Sequence, residues 1–576
     1  MGCLRIVLAL GLEDERQGII LPSLAFSIVL KRICSLLDLE SRIARHKSFL
    51  IGVFVMLGDS VDSNDGSTGS AESFALNPAP LGIPLPNVTH AVSVSMPCWS
   101  DVVAYEEGHE RVHTSLQSGY PRFVFHTLVR QLFNNYKERF ACSNKHDVII
   151  LVTERAARRC QEFLLGAGFS ETRIESCEAS DLFAVIYPKE AAGAAKQFWQ
   201  HTGWIVSSRC AEALIFDREA IQPNVESALR ERLASYAGVS PDSFTLFPSG
   251  MAAIDTAHQV VSALAAERGY LCKGVQYGFP YLDTLKVQAK FGQGVRLLAR
   301  ADADDLKQLA ELIAEGTVSH VFTEVPCNPL LQTPQLAQLS QLLRPHGIPL
   351  VVDDTIGTCF NVDVTPFADI VVTSLTKFIS GGGDVAAGSL MVSPTSPLAQ
   401  KLTTLLRAIT PSRSYLFADD AAVLLQNSAN FPERMARINS NAELLALYLS
   451  GHPLVHSVYY PKFSRGEEYE ALRREKGGFG GLLSIVLKDA AHAAPGFYDA
   501  LELSKGPGLG TAFTLVCPYT LLAHYGELDW AEEQGVSRYL IRVSVGVEDP
   551  RAIIAAFERA FARVSGAEER CLGSSV

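Results

Sequence analysis

Between about Ser240 and Thr376 short apolar runs alternate with longer amphipathic stretches. Phe244-Thr-Leu-Phe247 reads as a strand, Ser249-Gly250-Met251 as a turn, and Ala252 through Arg268 as an Ala-rich helix. Farther along, His320 through Val325 reads as a strand, Gln335 through Leu343 as a helix, and Ile348 through Asp353 and Asp369 through Thr373 as two more strands. Strands this short, apolar throughout and separated by helices, predict an α/β fold with a central, mostly parallel sheet covered on both faces. Ligands of such sheets lie beyond the carboxyl ends of the strands. Glu324, Asp353, Ser374 and Lys377 all fall at or just past those ends.

The flanks differ in pattern. His90 through Trp99 reads as a strand, and Asp147 through Phe169 as a strand, a helix and a glycine stop. After Ser389 a helix-rich stretch leads to Leu449, and the strands Gly481–Val486 and Tyr539–Ser544 predict a smaller α/β domain at the end. Asp59 through Ser73 is a polar Gly/Ser/Asp-rich linker. The expected organisation is an extension and linker without fixed structure over 1–85, an α/β region over 86–230, a large ligand-binding domain over 231–435 and a small domain over 436–576.

Composition narrows the partners. A chain of 576 residues exceeds what one core usually organises, and 48% hydrophobic with 19% charged residues is a globular profile. The net charge of -12 argues against nucleic acid or an anionic membrane as partner, leaving a small molecule. No apolar run approaches the roughly 20 residues that span a bilayer. The first apolar stretches are broken by Glu13, Asp14, Glu15 and Arg16, which is not a signal-peptide pattern. The 12 cysteines are scattered without a CxxC pair, as in a reduced cytoplasmic protein; no metal site is expected.

Pyridoxal 5′-phosphate (PLP) needs an amine, an acid for its pyridine nitrogen, donors for its phosphate and a flat partner for its ring. In Thr373-Ser374-Leu375-Thr376-Lys377-Phe378, hydroxyls cluster before a lysine at a strand end, ahead of Gly381-Gly382-Gly383. Asp353 closes an apolar strand, where a carboxylate is costly without a cationic partner. Pro248-Ser249-Gly250-Met251 places backbone N–H groups at a helix start, an anion site. Tyr277 follows a short strand and is the candidate for stacking on the ring. Each has a plainer reading alone: a solvated lysine, a capping aspartate, a tight turn, a packing tyrosine.

Six motifs occur in order: SGMAA (249–253), YG (277–278), TEVPCNPLL (323–331), VVDDT (351–355), TSLTKF (373–378) and IRVSVGVED (541–549). Together they resemble the Cys/Met-metabolism PLP enzymes, the cystathionine γ-synthase family. The resemblance implies the aminotransferase-like fold type I, a homodimer or homotetramer, and Lys377 carrying PLP as a Schiff base. It further implies Asp353 on the pyridine nitrogen, Tyr277 on the ring, Gly250, Met251, Ser374 and Thr376 on the phosphate, Asn328 near the 3-oxygen, and Arg542 on the substrate α-carboxylate. The segments 90–108, GYPRF (119–123) and 505–531 are similar to the fungal branch of that family.

Some positions depart from the family pattern. Gly508 stands where a serine is expected and Ala512 where an asparagine is expected; the segment donated across the dimer is at best Phe216-Asp217-Arg218, with Arg218 as a phosphate ligand. The expected reaction is γ-replacement on O-acetyl-L-homoserine by a thiol such as L-cysteine. Attack by a carbon nucleophile in secondary metabolism, γ- or β-elimination, and a non-catalytic binding role are the alternatives, and the last predicts erosion of Lys377 or Asp353, both of which are intact.

Overall fold

The computed structural model describes residues 78–573 except 119–122, 178–180, 219–223, 270–271 and 413, with side chains to residue 565. The expected extension therefore lies outside the described residues up to position 77, as does GYPRF up to its Phe123.

A two-stranded ribbon, β1 (Pro84–Leu85) with β2 (Ser93–Val94), opens the described chain. It leads into the helix Trp99–Glu106. β3 (His146–Leu151), β4 (Arg173–Cys177) and β5 (Leu182–Pro188) form an antiparallel sheet in the order β3-β5-β4. The stretch expected as one region over 86–230 is divided between two cores. Val94, Met96 and Trp99 pack with Ile485, Phe497 and Val543 near the end of the chain, whereas Ile149, Val185 and Trp199 pack on the large sheet's helix Gly250–Glu267 through Met251, Ile254 and Val261.

The large sheet comprises β6 (Phe244–Phe247), β7 (Lys273–Tyr277), β8 (Val295–Leu298), β9 (Val318–Glu324), β10 (Leu350–Asp353), β11 (Ile370–Thr373) and β12 (Gly388–Val392), ordered β6-β12-β11-β10-β9-β7-β8. Only β12 runs antiparallel to its neighbours, so the sheet is mostly parallel, as its unbroken apolar strands require. Alternation assigns the two faces: Phe322, Val351, Ile370 and Val372 enter one core, and Val321, Leu350, Val352 and Val371 the other. The last sheet contains β13 (Val455–Tyr459), β14 (Leu482–Leu487), β15 (Ser504–Lys505), β16 (Leu515–Pro518) and β17 (Ile541–Ser544), ordered β13-β14-β17-β16-β15. Among the described residues no helix is long and apolar enough to cross a membrane, and no His/Cys/Asp/Glu group forms a metal site.

Candidate active site

A cavity of about 420 Å³ lies at the carboxyl ends of β9, β10 and β11. Its wall contains Gly250, Met251, Asn328, Asp353, Ser374, Thr376, Lys377 and Arg542, so one pocket gathers eight of the nine motif residues expected to bind cofactor or substrate. Register explains the convergence. Asp353 pairs with Glu324 on β9 and with Val372 on β11, and the chain leaves β11 directly into Ser374 through Lys377.

Glu324 and Asp353 are neighbouring carboxylates on one face. Burial and the Asp353 charge push Glu324 up to about 8. Its Oε1 accepts the Tyr281 N–H at 2.5 Å and Oε2 the Asn328 N–H at 3.4 Å. Burial also pushes Asp353 upward, although its Oδ1 accepts the Thr355 N–H at 2.9 Å. A buried acid held this way would be matched by a protonated ring nitrogen.

The phosphate-type cradle is built from backbone. Ser249 caps the helix Gly250–Glu267, its hydroxyl accepting the Ala252 N–H at 3.1 Å, which leaves the Gly250 and Met251 N–H groups at the helix's positive end. A Cβ on Gly250 would lie 2.7 Å from the Ser374 Cβ, so only glycine lets the helix start approach the Ser374 loop this closely. Thr376 lines the same wall while its hydroxyl bridges the Ala387 N–H and C=O at 3.0 and 3.2 Å.

Arg542 on β17 is buried. Its Nη2 donates to the Gly508 carbonyl at 2.8 Å, its Nη1 to Asn328 Oδ1 at 3.2 Å, and its guanidinium lies 4.6 Å from the Tyr519 ring centre. Asn328 Nδ2 in turn donates to the Tyr519 hydroxyl at 2.9 Å. The Asn328 amide thus orients Arg542 and Tyr519, a contact pattern that the expected role beside the 3-oxygen does not describe.

The geometry does not bring every expected residue to the cavity of this chain. Tyr277 is absent from the cavity wall and donates its hydroxyl to the Asp302 carbonyl at 3.2 Å. The reason is register: Tyr277 pairs with Thr323, one step before Glu324, so it shares the opposite face with Val352. The chain then turns through Gly278 (φ +88°), and it is Tyr281 that lines the cavity. Ala512 is also outside the wall, its backbone tied to Gly381 and Val547. Gly508 does line the cavity, but with φ +112° its glycine answers a backbone requirement. Arg218 pairs with Glu212 and Asp419 outside its own chain's cavity; its expected donation across the dimer concerns the cavity of a partner.

Sequence reasoning missed Tyr281, Asp283, His201, Tyr519 and Glu106. Tyr281 and Tyr519 each follow a proline at or just past a strand end, a signal that could have found them; His201 lies on a helix with no local mark of chemistry.

An amine, a buried acid, a helix-start anion cradle and an arginine at the carboxyl edge of a mostly parallel sheet define a PLP-dependent enzyme. The chain belongs to the Cys/Met metabolism PLP-dependent enzyme family, whose model matches residues 208–562. The model of the N-terminal domain of fungal trans-sulfuration enzymes matches residues 128–207. The chain is similar to cystathionine gamma-synthase of Neurospora crassa, 32% identical, with 84% of this chain and 98% of that protein covered. It is also similar to the cystathionine gamma-synthase-like enzyme iboG2 of Amanita muscaria, 31% identical over 84% and 96% of the two chains. The crystal structure of cystathionine gamma synthase from Xanthomonas oryzae pv. oryzae in complex with cystathionine shares the fold, with a TM-score of 0.51, 23% identity, and 60% of this chain and 87% of that one covered. The motif resemblance is borne out at the level of family, fold and cofactor.

Proposed function

We propose that the protein catalyses γ-replacement on an O-acylated L-homoserine, adding a thiol such as L-cysteine, and that it does so as a cytoplasmic homo-oligomer. The observation that carries the reading is the presence of Lys377, Asp353 and Arg542 in the wall of one 420 Å³ cavity beside the Gly250 helix start. When bound, PLP supplies the electron sink for cleavage at Cα and loss of the γ-substituent.

In this reading the residues divide the work as follows. Lys377 would hold PLP through its ε-amine, and that amine would take the proton from the substrate Cα and return it farther along the chain, as general base and then acid. Asp353 keeps the ring nitrogen protonated, because a cation beside its buried carboxylate favours ionised acid and protonated base together. Gly250, Met251, Ser374 and Thr376 would hold the phosphate, and Tyr281, which lines the cavity, would be the flat partner of the ring. Arg542 grips the substrate α-carboxylate through paired hydrogen bonds, with Asn328 and Tyr519 restricting its rotation. Val94, Met96, Leu116 and Val124 form an apolar part of the wall that excludes water and favours, as a second reading, a less polar carbon nucleophile.

The test offers purified protein PLP and O-acetyl-L-homoserine with L-cysteine, L-homocysteine, sulfide and a β-keto acid in competition, and identifies products by mass. Cystathionine as main product is expected. A carbon–carbon adduct establishes the second reading, and a keto acid alone establishes elimination.

A further inference from the structure

Among the described residues the cavity wall holds four carboxylates, and three are accounted for. Asp353 faces the cofactor nitrogen in the proposed function, Glu324 accepts two backbone N–H groups, and Asp283 contacts His201 at 2.9 Å and the Tyr281 hydroxyl at 3.2 Å. The fourth is Glu106, the last residue of the helix Trp99–Glu106. Among the described residues it makes no hydrogen bond or ion pair, and the wall beside it contains Val94, Met96 and Leu116.

Its placement is unfavourable in two ways. The carboxyl end of a helix carries partial negative charge, which repels a carboxylate. Burial adds a desolvation penalty that pushes Glu106 up to about 7. An acid at such a position gains most from a cation that enters the cavity with a ligand. Lys377 and Arg542, the bases of the wall, are engaged by the cofactor and by the α-carboxylate of the first substrate, whose nitrogen is engaged at the cofactor. Of the reactants, the one left to bring a positive charge is the nucleophile.

We propose that Glu106 recognises the ammonium group of the second substrate, so that the nucleophile is an amino acid bearing a thiol rather than hydrosulfide or a β-keto acid. The assignment rests on the γ-replacement reading. It also gives the N-terminal segment, which packs on the C-terminal core, a place in substrate choice.

The test measures kcat/KM for L-cysteine and for N-acetyl-L-cysteine, which keeps the thiol and lacks the cation, using the PLP-loaded enzyme and O-acetyl-L-homoserine. Wild type should prefer cysteine at least tenfold. Glu106→Gln, nearly isosteric, should reduce that ratio about tenfold, chiefly by raising KM for cysteine, and Glu106→Asp should give an intermediate ratio. A wild type that uses both thiols within twofold overturns the proposal without any variant, as does a Glu106→Gln enzyme with an unchanged ratio. A wild type that forms no thioether with either thiol overturns the γ-replacement reading itself, and the Glu106 assignment with it.

Discussion

His201 lies 2.9 Å from Asp283, both buried, and the same carboxylate accepts the Tyr281 hydroxyl at 3.2 Å. The imidazole belongs to the segment matched by the fungal N-terminal domain model, while Tyr281 lines the cavity of the large domain. A segment outside the large sheet thereby acts on the orientation of a cavity-lining ring.

Removing either partner leaves the other buried without it. His201→Ala should lower stability by about 1–3 kcal/mol, because it takes one hydrogen-bond partner from a buried carboxylate that keeps the Tyr281 hydroxyl. A double-mutant cycle with Asp283→Asn should return a coupling of about 1–3 kcal/mol. Denaturant unfolding measures both, and strictly additive losses would remove the pair from the account. His201→Ala should also raise KM for the first substrate, whereas a purely structural role predicts loss of stability alone.

Purified protein should show the visible absorption of lysine-bound PLP. Lys377→Ala should abolish the band and turnover together. A variant retaining both would mean that another amine carries the cofactor.

Asp353→Ala should reduce kcat far more than Asp354→Ala. Asp353 faces the cavity, while Asp354 is outside the wall and accepts the Thr373 hydroxyl at 2.5 Å. Equal effects would assign the ring nitrogen to the wrong carboxylate.

Asp354 also makes stability depend on pH. Burial, chiefly, pushes it from 3.8 to about 7. Across that window the folded apoprotein keeps a proton that the unfolded chain has released. Raising pH therefore favours unfolding, by up to about 1.4 kcal/mol per pH unit from this one group. Asp354→Asn cannot ionise, so its unfolding free energy should fall less steeply between pH 5 and 7 than that of wild type. Parallel curves would show that Asp354 is ionised in the folded state.

Gly508→Ser should destabilise rather than redirect the enzyme. A Cβ there meets Leu515 at 3.5 Å, ordinary contact, so space is not the obstacle. The backbone at φ +112° is, at a cost of about 1–3 kcal/mol. Because Arg542 donates to the Gly508 carbonyl, KM for the first substrate should rise as well. A stable variant with altered thiol preference would restore the reading of Gly508 as a specificity change.

The sequence by itself determined the mostly parallel sheet, since strands apolar on both faces and separated by helices have few other ways to bury themselves. It also put Lys377, Asp353, Ser374, Thr376 and the Gly250 helix start near strand ends, where one cavity gathers them, because those positions need no knowledge of distant chain. Tertiary structure decided the rest. Whether Tyr277 or Tyr281 enters the cavity depends on β7 pairing with β9 one step short of Glu324, a register that local pattern does not encode. That His201 meets Asp283 and that Glu106 reaches the cavity depend on how segments far apart in sequence pack. Glycine at 508 reads as a missing hydroxyl in sequence, and only the backbone angle reveals it as a conformational requirement, because φ is set by the closed loop between β15 and β16 rather than by the neighbouring residues.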